Sequence, residues 1–183
     1  MTKAMINPSL PDAEQLCIQL ADMMRPDIHA ETALIGIHTG GVWVAQRLHA
    51  ALGLKTPLGS LDVSFYRDDF GRTGLHPHLH PSDIPFDVTD RPIIIVDDVL
   101  YTGRTLRAAM NEIFDYGRPA RIDLAVLVDR GGRELPIHAQ WAAHTMQVDA
   151  KKNLQLEQEE GDTKNTQPSS SLISKLTLRL RDY

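Results

Sequence analysis

The sequence predicts an α/β domain with parallel strands, and three features predict it. Residues 33–52 and 93–116 repeat one grammar: a short apolar strand, a turn carrying glycine and hydroxyl groups, then a helix. The strands in those units, ALIGI over 33–37 and IIIV over 93–96, are apolar without alternation, as expected of strands covered on both faces. A third segment, IDLAVLV over 122–128, reads as another buried strand and ends in the charged, glycine-containing loop Asp129–Pro136. At 183 residues the chain is long enough for one such domain with a real core, and short for two.

Taken in order, residues 12–25 form the first expected helix. Asp12 and Gln15 stand in capping-box spacing, and Ala13, Leu16, Cys17, Leu20 and Met24 share one face before Pro26 ends it. The strand over 33–37 runs through His38, Thr39, Gly40 and Gly41 into a helix expected over 42–52. Residues 60–65 alternate, with Leu61, Val63 and Phe65 opposite Ser60, Asp62 and Ser64, which predicts a half-buried strand. From about 66 to 90 the chain is rich in Gly, Pro, Asp and His. Long structureless stretches inside compact domains are usually lids or binding loops, so a flexible loop is expected there.

After the strand over 93–96, Leu106, Ala109, Met110, Ile113 and Phe114 recur at helical spacing, giving a helix over 104–116 that Gly117 stops and Pro119 follows. Beyond the strand over 122–128, His138–Ala143 and Lys152–Leu156 read as short strands. Residues 157–171 are polar and expected to be mobile, and Leu176, Leu178 and Leu180 alternate in a terminal strand. Residues from about 138 to 183 therefore read as a hood with a mobile insert on a single domain spanning 1–183.

Composition narrows the classes. Lys+Arg 19 against Asp+Glu 24 gives a net charge of −5, so nothing in the global balance advertises a nucleic-acid binder. The one cysteine, Cys17, lies on the apolar stripe of the first helix and reads as a packed thiol. No stretch reaches the length of a membrane span, and the N-terminus lacks the basic flank and apolar core of a signal peptide, so the expected location is cytoplasmic.

Chemistry concentrates in residues 93–110, IIIVDDVLYTGRTLRAAM. Asp97 and Asp98 are expected at the carboxyl end of their strand, where open α/β sheets place ligands; as acceptor-only groups they suit vicinal hydroxyls. Thr102, Gly103, Arg104 and Thr105 offer consecutive backbone N–H groups at a helix start, two hydroxyls and a glycine that permits close approach, which together make a monophosphate cradle. Gly40 and Gly41 can present N–H groups to an anion at the second helix start, although such a turn alone is more often a tight connection. His76, His78 and His80 alternate in the long loop. They are read as a proline-broken, His-rich loop, with a metal site as the alternative, and no metal ligands are assigned.

The combination of apolar strand, paired acids and Thr-Gly-Arg-Thr resembles the phosphoribosyl-diphosphate (PRPP) motif of the type I phosphoribosyltransferases. The segments GIHTGG, SFYRDD, DIPFDVTDRPIIIVDDVLYTGRTLRAAM and YGRPARIDLAVLVDRGGRELPI are similar to the branch of that family formed by bacterial pyrimidine operon regulators with uracil phosphoribosyltransferase activity. The resemblance covers most of residues 12–143 and is loose after 145. It implies an open, mainly parallel sheet flanked by helices with a small hood, a homo-oligomer, and conversion of uracil and PRPP to UMP and pyrophosphate with Mg²⁺.

By the same resemblance, Asp97 and Asp98 hold the ribose hydroxyls, Tyr101, Thr102, Gly103, Arg104 and Thr105 hold the 5′-phosphate, and Thr39, Gly40 and Gly41 bind pyrophosphate. Arg67 is placed to reach the pyrophosphate and Asp68 or Asp69 the metal. Asp129 and Arg130 are placed to approach the base or the metal waters. Relatives often carry Thr-Arg-Gly where this chain has Thr39-Gly40-Gly41, so another arginine, Arg67, is expected to compensate. Two alternatives stay open: an RNA-binding or nucleotide-sensing regulator acting on pyrimidine operon leader RNA with little turnover, and a salvage enzyme for another base. Against RNA, residues 1–34 hold only Lys3 and Arg25 as fixed cations, leaving Arg104, Arg107, Arg118, Arg121, Arg130 and Arg133 as candidates.

Overall fold

Asp12 starts the first helix as the sequence predicts: its Oδ1 accepts the N–H of Gln15 at 3.0 Å, satisfying one of the amides that a helix start leaves unpaired. In this computed structural model, which describes residues 10–63, 81–159 and 174–183, that helix is α1 (Ala13–Met24), and a 3-10 turn at Arg25–Asp27 closes it. The chain continues through β1 (Ala33–Ile37), α2 (Gly40–Leu52), β2 (Gly59–Leu61), β3 (Pro92–Leu100), α3 (Arg104–Tyr116), β4 (Arg121–Asp129), β5 (Trp141–Thr145), β6 (Lys152–Gln158) and β7 (Leu176–Asp182). Five strands form a parallel sheet in the order β2-β1-β3-β4-β5, and β6 pairs antiparallel with β7 in a separate two-stranded sheet.

Ile93, Ile94, Ile95 and Val96 are all buried, which accounts for their lack of alternation. Ile94 and Val96 pack with Leu34, Ala125 and Leu127 under α1 and α2, while Ile93 and Ile95 pack with Ile35, Val126 and Leu124 under α3. Burying each such side chain stabilises the fold by about 1.5–3 kcal/mol. The small sheet closes the first of these cores, since Leu154, Leu156, Leu176 and Leu178 are buried with α1 and α2. Glu14 and Arg47 pin it there. Arg47 Nε and Nη2 donate to the Glu14 carboxylate at 2.8 Å each, Glu14 Oε1 also accepts the Leu176 N–H at 2.9 Å, and Arg47 Nη2 donates to the Ser174 carbonyl at 2.7 Å.

Three boundaries differ from expectation for physical reasons. α2 begins at Gly40 rather than residue 42, because two residues without β-carbons let its first turn press onto β3. β3 does not stop at Val96. Its pairing with β1 ends there (Gly36 opposite Val96), but β4 continues alongside it to Leu100 opposite Asp129, so Asp97 and Asp98 lie within the strand and past the end of its β1 neighbour. β5, grouped by sequence with the hood, pairs with β4 in the main sheet, which leaves β6 and β7 as the hood. The strand expected over 60–65 is β2, which ends at Leu61 and leaves Asp62 and Val63 beyond it; residues 64–65, most of the 66–90 loop with Arg67 and His76, His78 and His80, and most of the 157–171 insert lie outside the described residues.

Candidate active site

Asp97 and Asp98 are 5% and 7% exposed, a degree of burial that carboxylates tolerate only with partners. Asp97 Oδ1 accepts the Asp98 N–H at 3.0 Å. Successive strand residues face opposite sides, so Asp98 shares the α2 face with Val96, and Asp97 the α3 face with Ile95. The start of α2 covers this pair closely. A β-carbon on Gly40 would lie 2.5 Å from Asp98 Oδ2, and one on Gly41 would lie 2.5 Å from the Val96 carbonyl oxygen and 3.0 Å from Asp97 Cα. The partially positive end of a thirteen-residue helix thus abuts two acids, a favourable placement. Thr39 is its N-cap residue and is exposed, while Gly40 and Gly41 are buried.

On the other side of the acids, β3 runs into the turn Tyr101–Gly103 and then α3. Gly103 sits at φ +93, a conformation that strains any other L-residue, and serves as the N-cap of α3. Thr102 is 4% exposed and its Oγ1 accepts the Arg104 N–H at 3.2 Å. The two helix starts that the sequence nominates for phosphate groups therefore flank one acid pair at the carboxyl-end rim of the sheet.

The third loop, between β4 and β5, is stitched to that turn. Arg130 N–H donates to the Leu100 carbonyl at 3.1 Å, and Glu134 and Leu135 N–H groups donate to the Thr102 carbonyl at 3.0 and 3.1 Å. The Arg130 guanidinium lies 4.0 Å from the Tyr101 ring centre, is 2% exposed, and donates from Nη2 to the Asp149 carbonyl at 3.2 Å. Its Nε has no partner, and no carboxylate neutralises it among the described residues. Arg133 takes the neighbouring acid: its Nη2 lies 2.6 Å from both carboxylate oxygens of Asp129, and its Nη1 donates to the Tyr101 carbonyl. Arg104 pairs with Glu134, Nε to Oε2 at 2.7 Å, both side chains being about half exposed.

The structure thus brings together Asp97, Asp98, Thr39, Gly40, Gly41, Tyr101, Thr102, Gly103, Arg104, Thr105, Asp129 and Arg130; Arg67 falls outside the described residues. Arg133 was legible in the sequence as a cation of the third loop and a candidate for RNA, but its contact with Tyr101 had no signal beyond the Asp129 to Arg133 spacing of four. Among the described residues no three His, Cys, Asp or Glu side chains form a metal-binding cluster. The acids present offer hard oxygen donors in ones and twos, which fits an ion such as Mg²⁺ that keeps waters and takes other ligands from substrate phosphates. No described helix is long and apolar enough to cross a membrane.

Comparison with known proteins places these features in a family. Residues 10–157 match the phosphoribosyl transferase domain model. The chain is 59% identical over 126 residues to the bifunctional protein PyrR of Nitrosococcus oceani, covering 68% of this chain and 71% of that one. It is 49% identical over 152 residues to the bifunctional protein PyrR of Pseudomonas entomophila, covering 81% and 88% respectively. Among solved structures, a purine phosphoribosyltransferase from Pyrococcus horikoshii superposes with a TM-score of 0.54 at 26% identity, covering 73% of this chain and 82% of that one. A hypoxanthine-guanine phosphoribosyltransferase from Bacillus anthracis has the same fold, with a TM-score of 0.61 at 22% identity over 77% of this chain and 85% of that one.

Proposed function

The chain belongs to the phosphoribosyltransferase family, in its PyrR branch, and from that premise we propose that it transfers the phosphoribosyl group of PRPP to uracil, giving UMP and pyrophosphate. The observation that carries the proposal is the buried Asp97 and Asp98 pair held between two helix starts, each edged by glycine. Their carboxylates accept the two ribose hydroxyls and fix the sugar in the cleft. Backbone N–H groups and hydroxyls of Thr102–Thr105 take the 5′-phosphate at the start of α3, and the start of α2 at Thr39–Gly41 takes the pyrophosphate. With both phosphate ends and the ring held, the anomeric carbon is presented to the base in one orientation, and positioning supplies much of the rate. Asp97 or Asp98, together with pyrophosphate oxygens, would hold a Mg²⁺ ion, which would supply positive charge against that building on the leaving group. Arg67 and Asp129 keep the roles assigned from the resemblance, Arg67 toward the pyrophosphate and Asp129 toward the base or metal waters.

A second reading, regulation through pyrimidine operon leader RNA, is favoured by the name bifunctional protein PyrR that the relatives carry. The described surface argues for weak RNA affinity in a single chain. Of six candidate arginines, Arg104 pairs with Glu134, Arg121 with Asp123, Arg133 with Asp129, and Arg130 is buried, which leaves Arg107 and Arg118 exposed and without an ion pair among the described residues. An assembly that pools cations from several subunits is the route by which RNA would be gripped. Base specificity is tested by offering uracil, hypoxanthine, guanine, adenine and orotate with PRPP and Mg²⁺. Uracil is expected to be converted at least tenfold faster than the others; a purine as the best substrate would overturn the assignment.

A further inference from the structure

We propose that Arg133 is a positioning residue for the PRPP site, bracing the phosphate turn and orienting Asp129 through one guanidinium; the proposal rests on the PRPP reading above. Nη1 donates to the carbonyl of Tyr101, the residue that opens the turn, and Nη2 lies 2.6 Å from both oxygens of Asp129. The ion pair is largely shielded, with 18% and 21% of the two side chains exposed, so it is screened less than a surface pair. Asp129 Oδ1 also accepts the Gly131 N–H at 3.0 Å, which folds the loop so that Arg133 comes back over β4. Gly131 and Gly132, at φ +73 and +76, make that fold, and a β-carbon on Gly132 would strike the Tyr101 ring at 2.4 Å.

In the turn, Thr102 Oγ1 accepts the Arg104 N–H, and the Tyr101 and Thr102 carbonyls accept from donors of the β4–β5 loop: Arg133, Glu134 N–H and Leu135 N–H. A cradle whose amides must all point at one phosphate needs such a support, because a misplacement of about 1 Å costs about a hundredfold in rate. Arg133 is suited to it by shape. Its planar fork serves two acceptors with two different nitrogens, which a lysine with one nitrogen cannot reproduce.

The test compares wild type, Arg133→Lys and Arg133→Gln by two readouts. Amide exchange over residues 101–105 in the ligand-free protein reads the brace without reference to substrate. It is expected to accelerate about tenfold or more in both variants, with unchanged protection in β1 and β4 marking an intact fold. Calorimetric titration with PRPP and Mg²⁺ is expected to show affinity about tenfold weaker in both variants, the size of one charge-assisted bond lost. In steady-state assays KM for PRPP rises in both variants. Asp129→Asn combined with Arg133→Gln is expected to be no weaker for PRPP than the worse single variant. Wild-type affinity retained in Arg133→Lys but lost in Arg133→Gln would overturn the proposal in favour of a direct charge contact with ligand. Unchanged exchange over 101–105 would overturn it outright, whereas faster exchange with no PRPP binding by the wild type would overturn the PRPP reading and leave the brace standing.

Discussion

Replacing Gly41 by alanine puts one methyl group where the structure has no room for it. The added β-carbon would lie 2.5 Å from the Val96 carbonyl oxygen, and that oxygen belongs to the central strand and cannot swing aside as a side chain would. Restoring an ordinary contact requires the start of α2 to lift off β3 by about 1 Å. Overpacking of this kind costs about 1–3 kcal/mol. In a chain of this length that lowers Tm by about 2–10 °C. The larger effect falls on function, because Gly41 belongs to the turn proposed to take pyrophosphate and abuts Asp97; a shift of about 1 Å there is expected to lower kcat/KM for PRPP by about a hundredfold. Gly53→Ala is the control. That residue has φ +65 but nothing within 4 Å of an added β-carbon, so it is expected to cost about 1 kcal/mol in strain and leave activity intact. Thermal melts and initial rates on the two variants decide the matter. Wild-type activity in Gly41→Ala with an unchanged Tm would refute the claim that the helix start and the acid pair form one site.

Three further outcomes are expected. Burial alone would raise the Glu14 carboxyl, but the Arg47 hydrogen bonds, the Leu176 N–H and the Arg47 charge outweigh it and hold it below its ordinary 4.5. A folded pKa below the unfolded one gives stability that is present above pH 4.5 and lost as pH falls through the folded value, so Glu14→Gln should flatten the acid limb of a Tm-against-pH curve. Burial, with Glu14 adding to it, pushes the Cys17 thiol up to about 12, so a thiol reagent at pH 8 should react only on unfolding; rapid labelling of the native protein would contradict the packing of α1. Leader RNA titrated across salt, beside a scrambled RNA, should bind weakly and with little preference at physiological ionic strength, and tight leader-specific binding would show that an assembly supplies the missing cations.

Local pattern carried much of this fold. The apolar runs at 33–37, 93–96 and 124–128 became central strands because both faces are covered, and the Asp12 cap and the Gly117 stop lie where their chemistry requires. What depends on a neighbour in space was not legible. β3 extends to Leu100 only because β4 runs beside it, and β5 joins the main sheet by pairing with a strand whose start lies twenty residues earlier. The acid pair and the two glycine-edged turns were legible as separate motifs, but the contact of Gly40 with Asp98 was not. The same holds for the β4–β5 loop: its charge and glycine at the end of a strand marked it as a ligand loop, but only the folded chain shows three of its groups donating to the carbonyls of Tyr101 and Thr102.

The central claim is that Asp97 and Asp98 hold the ribose of PRPP while uracil is converted to UMP. Its most direct test measures labelled uracil entering UMP, with PRPP and Mg²⁺, in wild type and in Asp97→Asn with Asp98→Asn, after circular dichroism has shown both to be folded. Wild type is expected to form UMP and pyrophosphate in equal amounts, and the folded double variant to lose at least a hundredfold in kcat/KM. Full turnover by the folded double variant would contradict the claim, as would a wild type that forms no UMP.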